Sequence, residues 1–175
     1  MKNPTLRWQL AAFIFTSAAG TLLHYAYDWS GGIVIFAPFS GVNESTWEHM
    51  KLFFWPAFIF SFAESYRLEQ NHLGFWCAKL AEILTGLFFI PALFYTYTGS
   101  FGMMIDWINI SIFFISAAIA CLVGGHLLEM SVGRFCIPWA AILVLCLIGA
   151  AFIYFTFYPP LIPLFQDPLT GSYGI

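Results

Sequence analysis

The ionisable residues of this chain are few, and they gather. His24 and Asp28 stand four residues apart near the end of one apolar stretch, while Asn43, Glu44, Glu48, His49 and Lys51 open the next. A separation of four places two side chains on one helical face, a turn apart. His24 is thereby paired with Asp28, and Glu44 with Glu48, with Lys51 three residues further on. Two carboxylates, two imidazoles and an ammonium at one level could bind a divalent metal, or share a proton between an acid and a base. His24, Asp28, Glu44, Glu48, His49 and Lys51 are therefore the candidate catalytic residues, and His24, Asp28, Glu48 and His49 the candidate ligands of a divalent metal. No H-E-x-x-H pair is present, so the pattern marks a site without naming its chemistry. His49 lies ~100° around a helix from Glu48, which makes it the loosest member.

A purely structural explanation competes with this one. His24 and Asp28 would then be polar groups closing a helix at headgroup level, and Glu44 would favour the positive end of the following helix. Glu48 would complete a capping box with Ser45 (Ser45-Thr46-Trp47-Glu48) and do nothing more.

A second polar set comprises Glu64, Lys79, Glu82, His126 and Glu129. Lys79 and Glu82 are three apart, a natural pair on one helix. They are either a mutually neutralised structural pair or part of a proton or ion path joining the two sets.

The elements that must hold these residues are built for lipid. Of 175 residues, 61% are hydrophobic and 21% aromatic, and only 9% are charged. A soluble domain carries roughly a quarter charged residues, so water cannot be the solvent for most of this surface. The charge-free run from Trp8 to Tyr27 is long enough to span a bilayer. Although Lys2 and Arg7 before it imitate a signal peptide, further spans follow, and it is read as a retained first helix. The expected fold is all-α: one integral membrane bundle of about five transmembrane helices, at about residues 8–27, 45–66, 73–97, 104–125 and 135–158, with residues 159–175 as a C-terminal cap. Residues 29–42 are too apolar for an aqueous loop and too rich in glycine and proline for a helix, which suggests an interfacial or partly re-entrant segment. The second span is the anomaly, since Glu48, His49, Lys51 and Glu64 must lie at or within its boundaries. Pro56 and Pro91 are expected to kink their helices.

Five spans put the termini on opposite sides. Lys2, Arg7, Arg67 and Arg134 then share one side, which basic residues mark as cytoplasmic. The expected location is the cell membrane, with the N-terminus inside, the C-terminus outside and the His24–Lys51 group facing outward. A net charge of −3 and the lack of a basic run argue against nucleic acid as a partner and leave membrane lipid, with a small-molecule or lipid substrate. Cys77, Cys121, Cys136 and Cys146 stand singly in apolar surroundings and read as free thiols.

The segments HYAYDWSGG, FSGVNESTWEHMKLFFWP and YTYTG, together with the tail PLFQDPLTGSYG, resemble a family of small prokaryotic multi-pass membrane proteins of uncharacterised activity. The resemblance runs along nearly the whole chain, and VNESTWEHMK (42–51) is its most specific block. It implies a fold and a location but no reaction. The matching positions are His24, Asp28, Asn43, Glu44, Ser45, Trp47, Glu48, His49, Lys51 and Asp167. Three classes of function remain: a membrane-embedded enzyme acting on a lipid-borne or small polar substrate, a transporter of an ion, proton or small solute, and a structural or accessory subunit whose polar residues only fasten helices together.

Overall fold

A computed structural model describes residues 4–68, 74–130 and 136–175. Lys2 and Arg134, and most of the turn expected after Arg67, lie outside them. Five long helices account for most of the rest: α1 Pro4–Trp29, α2 Thr46–Leu68, α3 Phe75–Phe101, α4 Asp106–Glu129 and α5 Pro138–Phe157. A short 3-10 turn, Pro163–Phe165, follows in the tail. Four helices, α1, α3, α4 and α5, are long and apolar enough to cross a membrane.

α2 is not among those four, and its position explains why. It is packed by α1, α3 and α5, touches α4, and is covered by the tail turn. Surrounded by apolar helices, α2 keeps Glu48, Lys51 and Glu64 buried inside the bundle; in a bilayer, an unpaired charge facing lipid would cost ~2–3 kcal/mol or more. Its aromatic ridge forms the core: Phe53, Phe54 and Phe58 are buried with Phe75, Trp76 and Phe152. α3 gives way to this ridge at Gly86, where a side chain would collide with the Phe53 ring. By contrast, α5 turns Leu143, Leu147 and Tyr154 outward, as a lipid-facing helix would.

Both internal prolines sit within continuous helices, Pro56 in α2 and Pro91 in α3. α3 runs on through Gly99, Ser100 and Phe101 and stops at Gly102, whose φ of +68° lets it close the helix by donating its amide to the Thr98 carbonyl at 2.8 Å.

The cysteines require a correction. Four free thiols were expected, but Cys77 at the start of α3 is bonded to Cys136 just before α5. Only Cys121 and Cys146 are free. A separation of 59 residues carries no spacing signature, so the pair becomes visible only when α3 and α5 pack together.

The 30–45 segment folds back into the bundle beside α2. Trp55 donates its indole N–H to the Pro38 carbonyl at 2.9 Å, and Lys51 donates to the Ala37 carbonyl at 2.7 Å. Ser40 enters the α1 ladder: the Tyr27 amide donates to the Ser40 hydroxyl at 2.8 Å, and that hydroxyl donates in turn to the Leu23 carbonyl. One side chain thus replaces a helix hydrogen bond at the turn that carries His24.

Candidate functional site

Glu44 lies just before α2, in the 30–45 segment that folds back beside it. Ser45 is the turn that starts the helix. Its amide donates to the Asn43 side chain at 2.9 Å, and its hydroxyl receives the Glu48 amide at 3.4 Å. The Glu48 carboxylate does not reciprocate to Ser45. It accepts the Val42 amide at 3.0 Å and meets the Lys51 ammonium at 2.5 Å. Lys51 is completed by the Ala37 carbonyl and by the Thr156 hydroxyl at 3.0 Å. Glu48 and Lys51 are both buried, and they fasten α2 to the 30–45 segment and to α5.

Freed from α2, Glu44 reaches both imidazoles. Its Oε2 stands 3.6 Å from His24 Nε2 and 3.7 Å from His49 Nε2. The two rings meet edge to face, with centroids 5.5 Å apart. One ligand atom from each of His24, Glu44 and His49 can be chosen so that all lie within 4.8 Å of one another. The cluster is only half-buried.

The tautomer of His49 follows from its other contact. Nδ1 lies 2.9 Å from the Ser45 carbonyl, an acceptor only, so this nitrogen carries the proton. In neutral His49 the Nε2 lone pair then faces the Glu44 carboxylate. Two acceptors face each other across 3.7 Å and want a cation between them, either a proton or a metal. The Glu44 carboxyl is correspondingly held below the usual carboxylate range. Its polar contact with His24 is the main cause, partial burial opposes it, and the charges of His24 and His49 add to the lowering.

A cavity of about 410 Å³ opens beside the cluster, between α1, α2 and α4. His24, Glu44 and His49 form one polar wall, and Asp106 and Asn109 of α4 another. Ile110, Phe113 and Phe114 make an apolar side. The Tyr97 hydroxyl donates to Asn109 Oδ1, which fixes that side chain. The tail reaches the same place. Phe165 is buried against Trp47, Asn43 donates to the Gly174 carbonyl at 3.0 Å, and Leu169 lines the cavity.

The six residues selected from the sequence therefore do not form one pocket. His24, Glu44 and His49 converge. Glu48 and Lys51 are a separate buried pair, and Asp28, one turn beyond His24, is exposed at the end of α1. The ligand set His24, Asp28, Glu48 and His49 is revised accordingly: Glu44 takes the place of Asp28 and Glu48. The physical reason is local. Asp28 has water to solvate it, and Glu48 has Lys51. Asn109 and Thr21, which also line the cavity, were missed. The three-residue spacing of Asp106 and Asn109 at the head of α4 was the available signal.

Two imidazoles and a carboxylate are a ligand set that zinc uses in hydrolytic sites, where a fourth position stays open for water or substrate. In chemical terms the arrangement can hold a divalent cation, or shuttle a proton between Glu44 and the rings.

Fold and site together define a class: an all-helical bundle with four membrane-length apolar helices around a polar central one, and a His/Glu/His cluster at one end. Within that class, the chain belongs to the family of unknown function DUF6512, whose model matches residues 1–175. No curated protein and no solved structure matches it.

Proposed function

We propose that the chain is a multi-pass membrane enzyme that binds a divalent metal at His24, Glu44 and His49 and acts on a small polar or lipid-borne substrate held in the adjoining cavity. The observation that carries this reading is the convergence of three ligand-capable side chains at the wall of a 410 Å³ cavity that is polar on two sides and apolar on another. Such a cavity suits an amphiphile, with its polar group at the cluster and its apolar part along Ile110, Phe113 and Phe114. A bound metal would polarise a substrate oxygen or acidify a bound water. Asp106, across the cavity, is the group placed to take up the proton.

The proposed orientation has the N-terminus cytoplasmic and the site facing outward. Arg7 and Arg67, with Lys2 and Arg134 of the sequence, support it. The Cys77–Cys136 bond weighs the other way, because it falls at the same end and cytoplasmic thiols stay reduced. The proposed orientation rests on the charge asymmetry alone.

The test is metal content and turnover on one preparation. Purified protein should hold one zinc-class ion per chain by elemental analysis, and Glu44→Gln and His49→Ala should lose it. Incubated with total lipid extract and a pool of small polar metabolites, the metal-loaded protein should deplete a species that Glu44→Gln leaves intact. Equal metal content in all three proteins would remove the metal site. Bound metal without turnover of anything in either pool would remove the enzyme.

A further inference from the structure

The interior of the bundle holds a second charged group, well away from the surface. Lys79 Nζ stands 2.6 Å from Glu64 Oε2 of α2 and 2.6 Å from Glu82 Oε2 of its own helix. All three side chains are buried. Glu82 is also met from α1, where Gln9 donates to its Oε2 at 3.3 Å, and from α4, where the Cys121 thiol donates to its Oε1 at 3.9 Å. Gly124 of α4 leaves room for the carboxylate, since any side chain there would collide with it. α5 brings no charged residue. Two carboxylates share one ammonium, so the triad is neutral only when it holds one added proton. Neither oxygen of Glu64 has a hydrogen-bond donor beyond its ion-pair contact with Lys79. A closed structural pair would need only one carboxylate. The second, buried where charge is expensive, requires a use.

The seam between α1 and α4 leads away from the triad in both directions. At one end, a groove of about 380 Å³ is lined by Gln9, Phe13, Cys121, Gly125 and His126, so it reaches the two residues that touch Glu82. At the other end lies the 410 Å³ cavity of the His24–Glu44–His49 cluster. The helices are antiparallel: Gly125 abuts Gln9, and Gly20 abuts Phe113. That register sets Ser17 level with Ser116, midway between the two openings. Both serines are buried, and neither hydroxyl has a hydrogen-bond partner; Gln9 Oε1 is likewise unpartnered. Buried polar atoms are nearly always satisfied, and two unsatisfied hydroxyls at one level between the two openings, with a third unsatisfied atom at the groove, are what bridging water would complete. The seam is narrow: a methyl group on Gly20 would come within 2.6 Å of the Phe113 ring and 2.9 Å of the Leu52 carbonyl. A hydrated ion does not fit there, but a proton passed along hydroxyls and single waters does.

We propose that the Glu64–Lys79–Glu82 triad is a proton-loading site, and that Ser17 and Ser116, with bridging water held at Gln9, relay its proton along the α1–α4 seam to the outer cavity. In each relay step a hydroxyl or water accepts one proton and releases another, so no bond order or charge changes along the row. The proton leaves a triad carboxyl and arrives at water or imidazole in the outer cavity. The triad is recharged from the 380 Å³ groove beside His126 and Glu129. This route stands independently of whether the outer cluster holds a metal.

The test is proton flux in liposomes reconstituted with the full chain, loaded with a pH-sensitive dye and driven by a potassium diffusion potential. The wild-type protein should admit protons faster than protein-free vesicles. Ser17→Ala/Ser116→Ala should slow this by about a hundredfold, the low end of what positioned proton transfer contributes. Glu82→Gln should abolish it, and Asp28→Asn, outside the seam, should leave it unchanged. Wild-type flux equal to that of protein-free vesicles would overturn the proposal. Full flux in the double serine variant would overturn the relay, and full flux in Glu82→Gln the triad's role. The small serine replacements keep the test decisive even where Glu82→Gln fails to fold.

Discussion

Glu44 and Glu48 lie four residues apart at the entrance to α2, beside the segment that folds back over it, yet their surroundings differ in kind. Glu48 is closed in: its carboxylate is matched by an ammonium at 2.5 Å and a backbone amide at 3.0 Å, and that ammonium is itself fully used. Glu44 is left open. It meets two imidazoles at 3.6 and 3.7 Å, all three half-exposed, and it borders a cavity. A satisfied buried pair has nothing left to offer a ligand, whereas a cluster short of a cation has. The contrast separates a closed, fully satisfied pair, which fastens the bundle, from an incompletely satisfied cluster beside a cavity, which is the candidate site.

The largest effect should come from opening the closed pair. Glu48→Gln strands a buried ammonium and should cost about 3–5 kcal/mol, seen as a collapse of thermal stability in detergent. Glu48→Gln/Lys51→Met should recover most of it. If Glu48→Gln folded normally, the pair would not be the fastening described. Next in size, Gly124→Ala pushes a methyl into the Glu82 carboxylate, an overpacking worth about 1–3 kcal/mol by the same thermal assay. An unchanged melting curve would mean that the inner triad is looser than its contacts indicate.

Acid should separate the two glutamates in a different way. The Glu44 carboxyl is held below its ordinary range, so what it contributes is fully present above the value of the unfolded chain and is lost as pH falls through the lowered folded value. Cation binding at the cluster should weaken first as the two imidazoles take up protons on the acid side of neutrality, with loss of the Glu44 contribution following at lower pH while the fold persists, which titration calorimetry against circular dichroism would resolve. Binding that stayed constant to the point of unfolding would break the link. The smallest effect belongs to Asp28→Asn: within about 0.5 kcal/mol in stability, as for surface changes generally, and unchanged in cation affinity.

Much of the fold was legible because long apolar runs read directly as helices of membrane-crossing length, and α1, α3, α4 and α5 are such runs. The charges of α2 were legible as an anomaly, and the bundle resolves it by placing that helix at the centre. The site was legible only in part. Helical spacing put Glu44 and Glu48 on one face, but α2 begins at Thr46, so the periodicity does not apply to Glu44. Asp28 does lie on α1 with His24, yet it sits at an exposed end where water competes for it. The Cys77–Cys136 pair and the levelling of Ser17 with Ser116 depend on helix packing and register, which no local spacing encodes.

The most direct test of the central claim is the X-ray absorption spectrum of the zinc-loaded protein. With His24, Glu44 and His49 as ligands, the zinc should show a shell of nitrogen and oxygen only at about 2.0–2.2 Å, with outer-shell scattering from two imidazole rings and one position left for water. Glu48→Gln, wherever it folds, should leave that spectrum unchanged, while Glu44→Gln should remove the site. A shell without imidazole, or one that survives loss of both His24 and His49, would contradict the assignment.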